Sequence, residues 1–275
     1  MKPSISLIIL TYNEEANLPK CLKSVEGLAA EIVIVDSGST DKTKEIAEKF
    51  GAKFIVHEFK NQADQFNWAL ANIELKGDWI LRLDADEELL PELKEEIRAK
   101  LPDVSEDVCG LYLNRRNYFK GAWIKHGGYY PIWILRLFRK GAAKSEEREM
   151  DEHLVLLRGR AEKLANDFID NNLKGLEEWK AKHRKYAMRE ARAYLAHEDG
   201  KEVGGQAGAK RKMKLAVYYR VPPFLRVILY FLYRYFILLG FLDGWRGTQF
   251  HLLQGFWYRW LIDFNIVKLQ HAAKS

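Results

Sequence analysis

Along the first hundred residues, short apolar runs rich in β-branched residues alternate with stretches whose apolar positions recur every three or four residues. The runs at residues 4–10, 31–36 and 79–83 are near-continuously apolar, which predicts buried strands, and residues 53–57 read as a short strand between the last two. Between them, the stretch reaching residue 25 and residues 42–50 and 66–73 read as helices. Thr11 or Asn13 is expected to cap the first, and Gly51 closes the second. A further helix is expected over residues 88–101, entered through Glu87, Glu88 and Pro91. Strands alternating with helices of this length specify a mostly parallel, helix-flanked sheet, an α/β fold.

Past residue 110 the pattern changes. Residues 111–116 and 133–138 predict two more strands, with a long loop between them that holds Trp123, His126, Gly127, Gly128, Tyr129 and Tyr130. Residues 175–195 read as a long helix, and 198–208, with four glycines, as a flexible connection. Residues 224–242 are apolar for about 19 positions, close to the ~20 a membrane span needs. Arg226 and Arg234 interrupt that run, and a central Arg costs roughly 2.5–3.5 kcal/mol in a bilayer. An interfacial helix is the expectation, with a helical hairpin packed on the protein as its alternative.

In parallel sheets ligands sit outside the carboxyl ends of the strands. Three polar segments fall there: Thr11-Tyr12-Asn13-Glu14-Glu15, Asp36-Ser37-Gly38-Ser39-Thr40-Asp41 and Asp84-Ala85-Asp86. Asp36 can accept hydrogen bonds from a base or ribose, and loop N–H groups can face phosphate. If extended backbone persists through Ala85, Asp84 and Asp86 point to the same side. Two such carboxylates suit a hard divalent cation, Mg²⁺ or Mn²⁺, completed by a substrate's phosphates. The aromatic loop suits either sugar stacking or core packing, and Arg115, Arg116 and Arg136 suit phosphate.

Charge adds a second theme. The chain carries a net +6, yet residues 201–275 alone hold 12 Lys and Arg against 3 Asp and Glu, and 16 of the 35 aromatic residues. A basic, aromatic end on a slightly acidic body points to an anionic surface. Its rings lie among Leu, Ile and Val, and Lys210-Arg211-Lys212 opens it, which favours a membrane surface over nucleic acid. Two cysteines, Cys21 and Cys109, are too few for a thiolate metal site or a disulfide framework. The first apolar run ends at Leu10, too short for a signal-peptide core. A cytoplasmic protein is expected, peripheral on the inner face of the cytoplasmic membrane.

The successive segments Ile8-Ile9-Leu10-Thr11-Tyr12-Asn13-Glu14-Glu15, Ile34-Val35-Asp36-Ser37-Gly38-Ser39-Thr40-Asp41 and Leu83-Asp84-Ala85-Asp86-Glu87 resemble, in order and spacing, the signatures of family 2 glycosyltransferases. The closest resemblance is to lipopolysaccharide core β-1,4-glucosyltransferases, shared by Asp151-Glu152-His153 and by the segments around Phe241-Leu242-Asp243-Gly244 and Gln254-Gly255-Phe256-Trp257. The resemblance implies a GT-A fold, the Rossmann-like sheet of nucleotide-diphospho-sugar transferases, with a nucleotide-sugar donor, a divalent metal and inversion at the anomeric carbon. Carried onto this chain, Thr11, Tyr12, Asn13, Glu14, Asp36, Ser37, Ser39, Asp41 and Asp84 line the UDP-sugar, and Asp86 with Asp84 holds the metal. Asp64 and Asn67 fall in a segment similar to the family's donor side, where an Arg common in the family is Gln65 or Phe66. Glu152, or else Asp151, is the base that an inverting transfer needs to accept the acceptor's proton. A sugar nucleotidyltransferase would need a glycine-rich loop after the first strand, and Thr11–Glu15 has no glycine.

Three regions are thus expected: a catalytic domain over residues 1–165, its donor half reaching about residue 100 and its acceptor half 101–165; a helical extension over 166–200; and membrane-associating helices over 201–275. The expected partners are a UDP-sugar, namely UDP-glucose, a lipid-linked saccharide and a membrane surface, with no nucleic acid.

Overall fold

Ile5–Thr11 (β1) is the centre around which the sheet assembles. It pairs in parallel with Glu31–Asp36 (β2) on one side and Trp79–Asp84 (β4) on the other, and β2 pairs in parallel with Lys53–Val56 (β3). In the computed structural model, which describes residues 3–146, 153–196 and 218–273, the chain divides into two compact units. One comprises residues 1–116 with 131–173, the other residues 117–130 with 174–275.

Alternation along the strands explains why the central runs are apolar throughout. Ile5, Leu7 and Ile9 of β1 and Trp79, Leu81 and Leu83 of β4 pack on one face with Leu18 and Leu22 of Leu18–Ser24 (α1) and Leu93 and Ile97 of Pro91–Lys100 (α4). Ile8, Val33, Val35 and Ile80 pack on the other with Phe66 and Ala69 of Gln62–Asn72 (α3). Each fully buried Leu or Ile contributes on the order of 1.5–3 kcal/mol. Thr43–Lys49 (α2) bridges β2 and β3. Gly77, just before β4, is a site of close approach, since a Cβ there would lie 2.3 Å from the Ser6 backbone nitrogen.

Beyond β4 the sheet turns antiparallel. Trp133–Arg139 (β8) pairs with β4 and with Val108–Phe119 (β6), and Arg160–Asp170 (β11) pairs with Glu87–Leu89 (β5) at the edge. Ala122–Ile124 (β7) pairs antiparallel with the last residues of β6, and Ala143–Ser145 (β9) and Leu154–Leu156 (β10) form a separate ribbon. The α/β sheet expected from the sequence is therefore present, parallel from β3 through β4 and antiparallel beyond it.

Three local expectations are corrected. Residues 87–89 are a strand, and the helix starts at Pro91, because β11 offers Glu87–Leu89 a ladder of backbone partners. Neither Thr11 nor Asn13 caps α1, which starts at Leu18 after a turn in which Asn13 takes a positive φ of 53°. β11 carries extended backbone through the boundary expected at residue 165, and the helix begins only at Leu176. The flexible connection and basic cluster read at residues 198–214 lie outside the described residues.

The second unit is built on Leu176–Leu195 (α5) and Tyr258–Ala272 (α8), which bury Ala187, Ala191, Tyr258, Ile262 and Ile266 against each other. The uninterrupted helix expected over 224–242 is broken. Leu225–Leu232 (α6) passes into a π-helical turn, Tyr233–Ile237, and then a 3₁₀ turn, Gly240–Asp243, before Gly244–Phe250 (α7). At the break Leu239 takes a φ of 60°, and glycine at 240 lets the His251 ring pack close, since a Cβ there would lie 2.7 Å from it. Among the described residues no single helix is long and apolar enough to cross a membrane.

Candidate functional site

Strand register brings the three polar segments together. Thr11 pairs with Asp36 across β1 and β2, and Leu10 pairs with Asp84 across β1 and β4. The carboxyl ends of three adjacent parallel strands therefore finish on one row.

Asp36 is the hub of that row and is 1% exposed. Its Oδ1 accepts from Thr11 Oγ1 at 2.7 Å and Ser39 Oγ at 2.5 Å, and its Oδ2 accepts from the backbone N–H of Gly38 at 2.8 Å and Ser39 at 2.7 Å. A carboxylate offers about four lone-pair sites, and all are filled from within the protein. A base that reaches Asp36 must displace one of those hydroxyls. The loops after β1 and β2 are knitted by the other predicted residues. Asn13 N–H donates to Ser39 Oγ at 2.7 Å, and Asn13 Oδ1 accepts from Thr40 N–H at 2.8 Å. Asp41 accepts from Glu15 N–H at 3.0 Å, and Ser37 Oγ accepts from Gln65 Nε2 at 2.8 Å. Tyr12 stands out on the rim, 57% exposed.

Extended backbone ends at Asp84, and Ala85 and Asp86 form a turn. The same-side geometry expected for Asp84 and Asp86 is therefore corrected: the two carboxylates have different partners. Asp84 Oδ2 accepts from Arg136 at 3.0 Å, with Arg82 3.9 Å from its Oδ1. Asp86 Oδ2 accepts from Asn172 Nδ2 at 3.0 Å. Asn171 N–H donates to the Asp86 carbonyl at 2.9 Å, and Leu173 N–H donates to Asn17 Oδ1 at 2.8 Å. Asn17 in turn donates to Glu14 Oε2 at 2.7 Å. Residues 171–173 thus tie the Asp86 turn to the loop after β1.

The residues that sequence reasoning missed are Glu87 and Asn172. Glu87, 1% exposed, makes a close ion pair with Arg136, 6% exposed, and accepts from Asp84 N–H at 2.9 Å. Burial pushes the Glu87 carboxyl up to about 8, against the opposite pull of Arg136. Burial also works against the charge on Arg136, but Glu87 and then Asp84 outweigh it and raise its pKa. The other arginines expected to face phosphate are paired as well, Arg115 with Asp170 at 3.3 Å and Arg116 with Asp167 at 2.6 Å. Trp133 lies beneath the Lys163 ammonium, 4.9 Å from its ring centre.

Asp64 and Asn67 stand on α3. Asn67 is fully engaged: its Nδ2 donates to the Ser145 carbonyl at 2.9 Å and its Oδ1 accepts Ser145 N–H at 2.8 Å. That clamp holds the end of β9, where Glu146 N–H donates to the His153 carbonyl at 2.9 Å. Asp151 and Glu152, the candidate bases, lie outside the described residues.

The donor set admits a divalent cation only in part-filled form. Among the described residues no three His, Cys, Asp or Glu side chains are grouped to hold an ion by themselves. Asp86 Oδ1 has no protein partner among them, however, and one carboxylate oxygen completed by water and substrate phosphate is a usual Mg²⁺ arrangement.

Known proteins bear on this geometry. The family model described as glycosyl transferase family 2 matches residues 6–153. An uncharacterized glycosyltransferase of Rickettsia bellii is 43% identical over 103 residues, 38% of this chain and 34% of that protein. The lipopolysaccharide core biosynthesis glycosyltransferase LpsC of Rhizobium meliloti is 35% identical over 153 residues, 52% of this chain and 53% of that protein. An undecaprenyl-phosphate 4-deoxy-4-formamido-L-arabinose transferase of Pseudomonas paraeruginosa is 30% identical over 165 residues, 56% and 46% of the two chains. The matches thus span about a third to a half of these relatives' lengths. Among solved structures, mannosyl-3-phosphoglycerate synthase from Rubrobacter xylanophilus is 20% identical with a TM-score of 0.36, covering 42% of this chain and 41% of that one.

Proposed function

Because the chain belongs to glycosyl transferase family 2, we propose that it transfers a hexose, glucose from UDP-glucose, to a lipid-linked saccharide such as a lipopolysaccharide inner core, with inversion at the anomeric carbon. The observation that carries this reading is the row of Thr11, Asp36 and Asp84 at three parallel strand ends, with Asp86 one turn beyond. The acceptor class is supported by the relatives whose names refer to lipopolysaccharide core biosynthesis and to undecaprenyl-phosphate.

In this reading the loops after β1 and β2 hold the nucleotide, through Thr11, Tyr12, Asn13, Glu14, Asp36, Ser37, Ser39 and Asp41, and Asp64 and Asn67 flank the donor side. Asp86, with Asp84, holds Mg²⁺ or Mn²⁺, which when bound offsets the charge gathering on the departing diphosphate. Glu152, or Asp151, takes the proton of the acceptor hydroxyl as that oxygen bonds to the anomeric carbon and the UDP oxygen leaves from the opposite face. The protein works in the cytoplasm as a peripheral protein of the inner face of the cytoplasmic membrane.

The test is nucleotide release by the purified chain from each common UDP- and GDP-sugar, with Mn²⁺ or Mg²⁺ and with EDTA. Release from UDP-glucose that EDTA suppresses is expected. If no donor is bound or turned over, even with detergent and lipid extract present, the reading fails.

Asn172 supplies a finer test of the metal assignment. Outer residues that orient a ligating carboxylate typically contribute 10–100-fold in metal affinity. Asn172→Ala is expected to raise the Mn²⁺ concentration at half-maximal release about tenfold, with the maximal rate recovered at saturating metal. An unchanged metal titration would remove Asn172 from the site.

A further inference from the structure

Residues 225–236 of the second unit present a row of apolar side chains outward. Leu225, Ile228, Leu229, Leu232, Tyr233 and Phe236 follow the i, i+3, i+4, i+7 spacing of one helix face, and each is 42–53% exposed. Through the bend the exposure continues, with Ile237 at 70% and Trp245 at 72%. The opposite face of α6 holds Arg226, 3% exposed, which donates from Nε to both Asp263 oxygens, at 2.9 and 3.0 Å. A helix bathed in water is patterned the other way round.

The polar complement is equally one-sided. Residues 218–273 contain two acids, Asp243 and Asp263, and both side chains are at most 2% exposed. Asp263 is held by Arg226, and Asp243 accepts from His126 Nδ1 at 2.6 Å. Arg220, Arg246 and Lys268 are exposed. The outward charge of this stretch is therefore entirely positive.

We propose that this face docks in one leaflet of an anionic lipid membrane, with the bend at residues 236–245 entering it and the two helical arms remaining at its surface. The proposal rests on the membrane partner of the reading above but on none of its donor or metal assignments. Shallow insertion follows from length and angle. The exposed stripe from Leu225 to Phe236 is 11 residue steps, roughly 17 Å at 1.5 Å per residue, against the ~30 Å of a hydrocarbon core. The arms Leu225–Ile237 and Gly240–Ala272 meet at 69°, so they do not form one rod. Aromatic rings and Arg246 beside Trp245 suit the headgroup level, where amphipathic surfaces bury about 5–10 Å deep. Backbone at the bend is satisfied within the unit: Leu238 N–H donates to the Tyr233 carbonyl at 2.9 Å, and the Leu238 carbonyl accepts Gly127 N–H at 2.8 Å. Such pairing is what backbone entering lipid requires.

The experiment uses the full chain carrying Ile237→Cys labelled with an environment-sensitive fluorophore. Cys21 and Cys109 are buried, so the label is selective, and Gln270→Cys serves as the control. The emission at 237 is expected to shift to the blue with vesicles rich in phosphatidylglycerol, to shift far less with pure phosphatidylcholine, and to be quenched more by spin labels near the headgroup than at the chain end. The control should not move. A second variant, Phe236→Glu with Trp245→Glu, is expected to lower vesicle partitioning about tenfold or more with its circular dichroism unchanged. No shift on anionic vesicles, or an equal shift at 270, overturns the proposal. Quenching strongest at the chain end overturns shallow insertion. If a second copy of the chain covers this face, the double variant converts a dimer to a monomer in light scattering without changing vesicle binding, which also overturns it. Metal-dependent nucleotide release in lipid-free buffer should be the same in both variants as in the wild type, so failure at the membrane is distinguishable from failure of the transferase reading.

Discussion

Asp86→Ala is expected to lower metal-dependent nucleotide release by about a hundredfold or more, the range associated with losing one preorganised electrostatic contact to a leaving group. Its folding stability should stay within about 1 kcal/mol of the wild type. The separation follows from how Asp86 is held. It sits in a turn, half-buried, with one side-chain bond from Asn172 and an Oδ1 without a protein partner among the described residues. Removing it leaves no buried charge unpaired. Asp84→Ala behaves differently, because it takes a partner from the buried Arg136 and so weakens both fold and activity. Urea unfolding beside a release assay reads the two effects apart. Should Asp86→Ala retain more than about a tenth of the activity, a cation on that carboxylate is not what activates the leaving group.

The fold was legible where a residue's environment is set by its own segment. Ile5–Thr11, Glu31–Asp36 and Trp79–Asp84 read as strands because burial on both faces demands apolar side chains at every position. Their shared rim was legible for the same reason, since parallel neighbours finish together. What escaped depends on pairings that leave no local trace. Arg136 and Glu87 are 49 residues apart and meet only because β8 lies beside β4. An acid following a strand reads equally well as the start of a helix, and only the pairing with β11 turns Glu87 inward. Asn172, outside the residues matched by the family model, reaches Asp86 across 86 positions of sequence. In the second unit the apolar pattern of residues 224–242 was visible, but not its break at Leu239 and Gly240, where the ring of His251, eleven residues beyond Gly240, packs close.

Above about pH 8, where the buried Glu87 carboxyl is ionised, Arg136→Met is expected to cost about 3–5 kcal/mol of folding stability, the usual consequence of removing one member of a buried ion pair. Methionine fills the aliphatic volume but leaves Glu87 without its guanidinium and Asp84 with one guanidinium fewer, Arg82 staying 3.9 Å from it. The pH dependence separates this cause from lost packing. Burial raises the folded Glu87 carboxyl from an ordinary 4.5 to about 8 even with Arg136 present, so its folding contribution is most favourable below 4.5 and declines as pH rises toward 8. Above about pH 8 the wild-type contribution levels off, because folded and unfolded chains both carry the ionised group. Without Arg136 the folded pKa moves higher still, so the variant goes on losing stability above pH 8 where the wild type does not. The companion Arg136→Met with Glu87→Gln, which no longer buries an ionisable group at position 87, should recover part of the loss and abolish the extra slope. Chemical denaturation of the three proteins below and above pH 8 checks this. Parallel wild-type and Arg136→Met profiles would mean that Arg136 stabilises the site through packing alone, and that the charge on Glu87 is balanced by other groups.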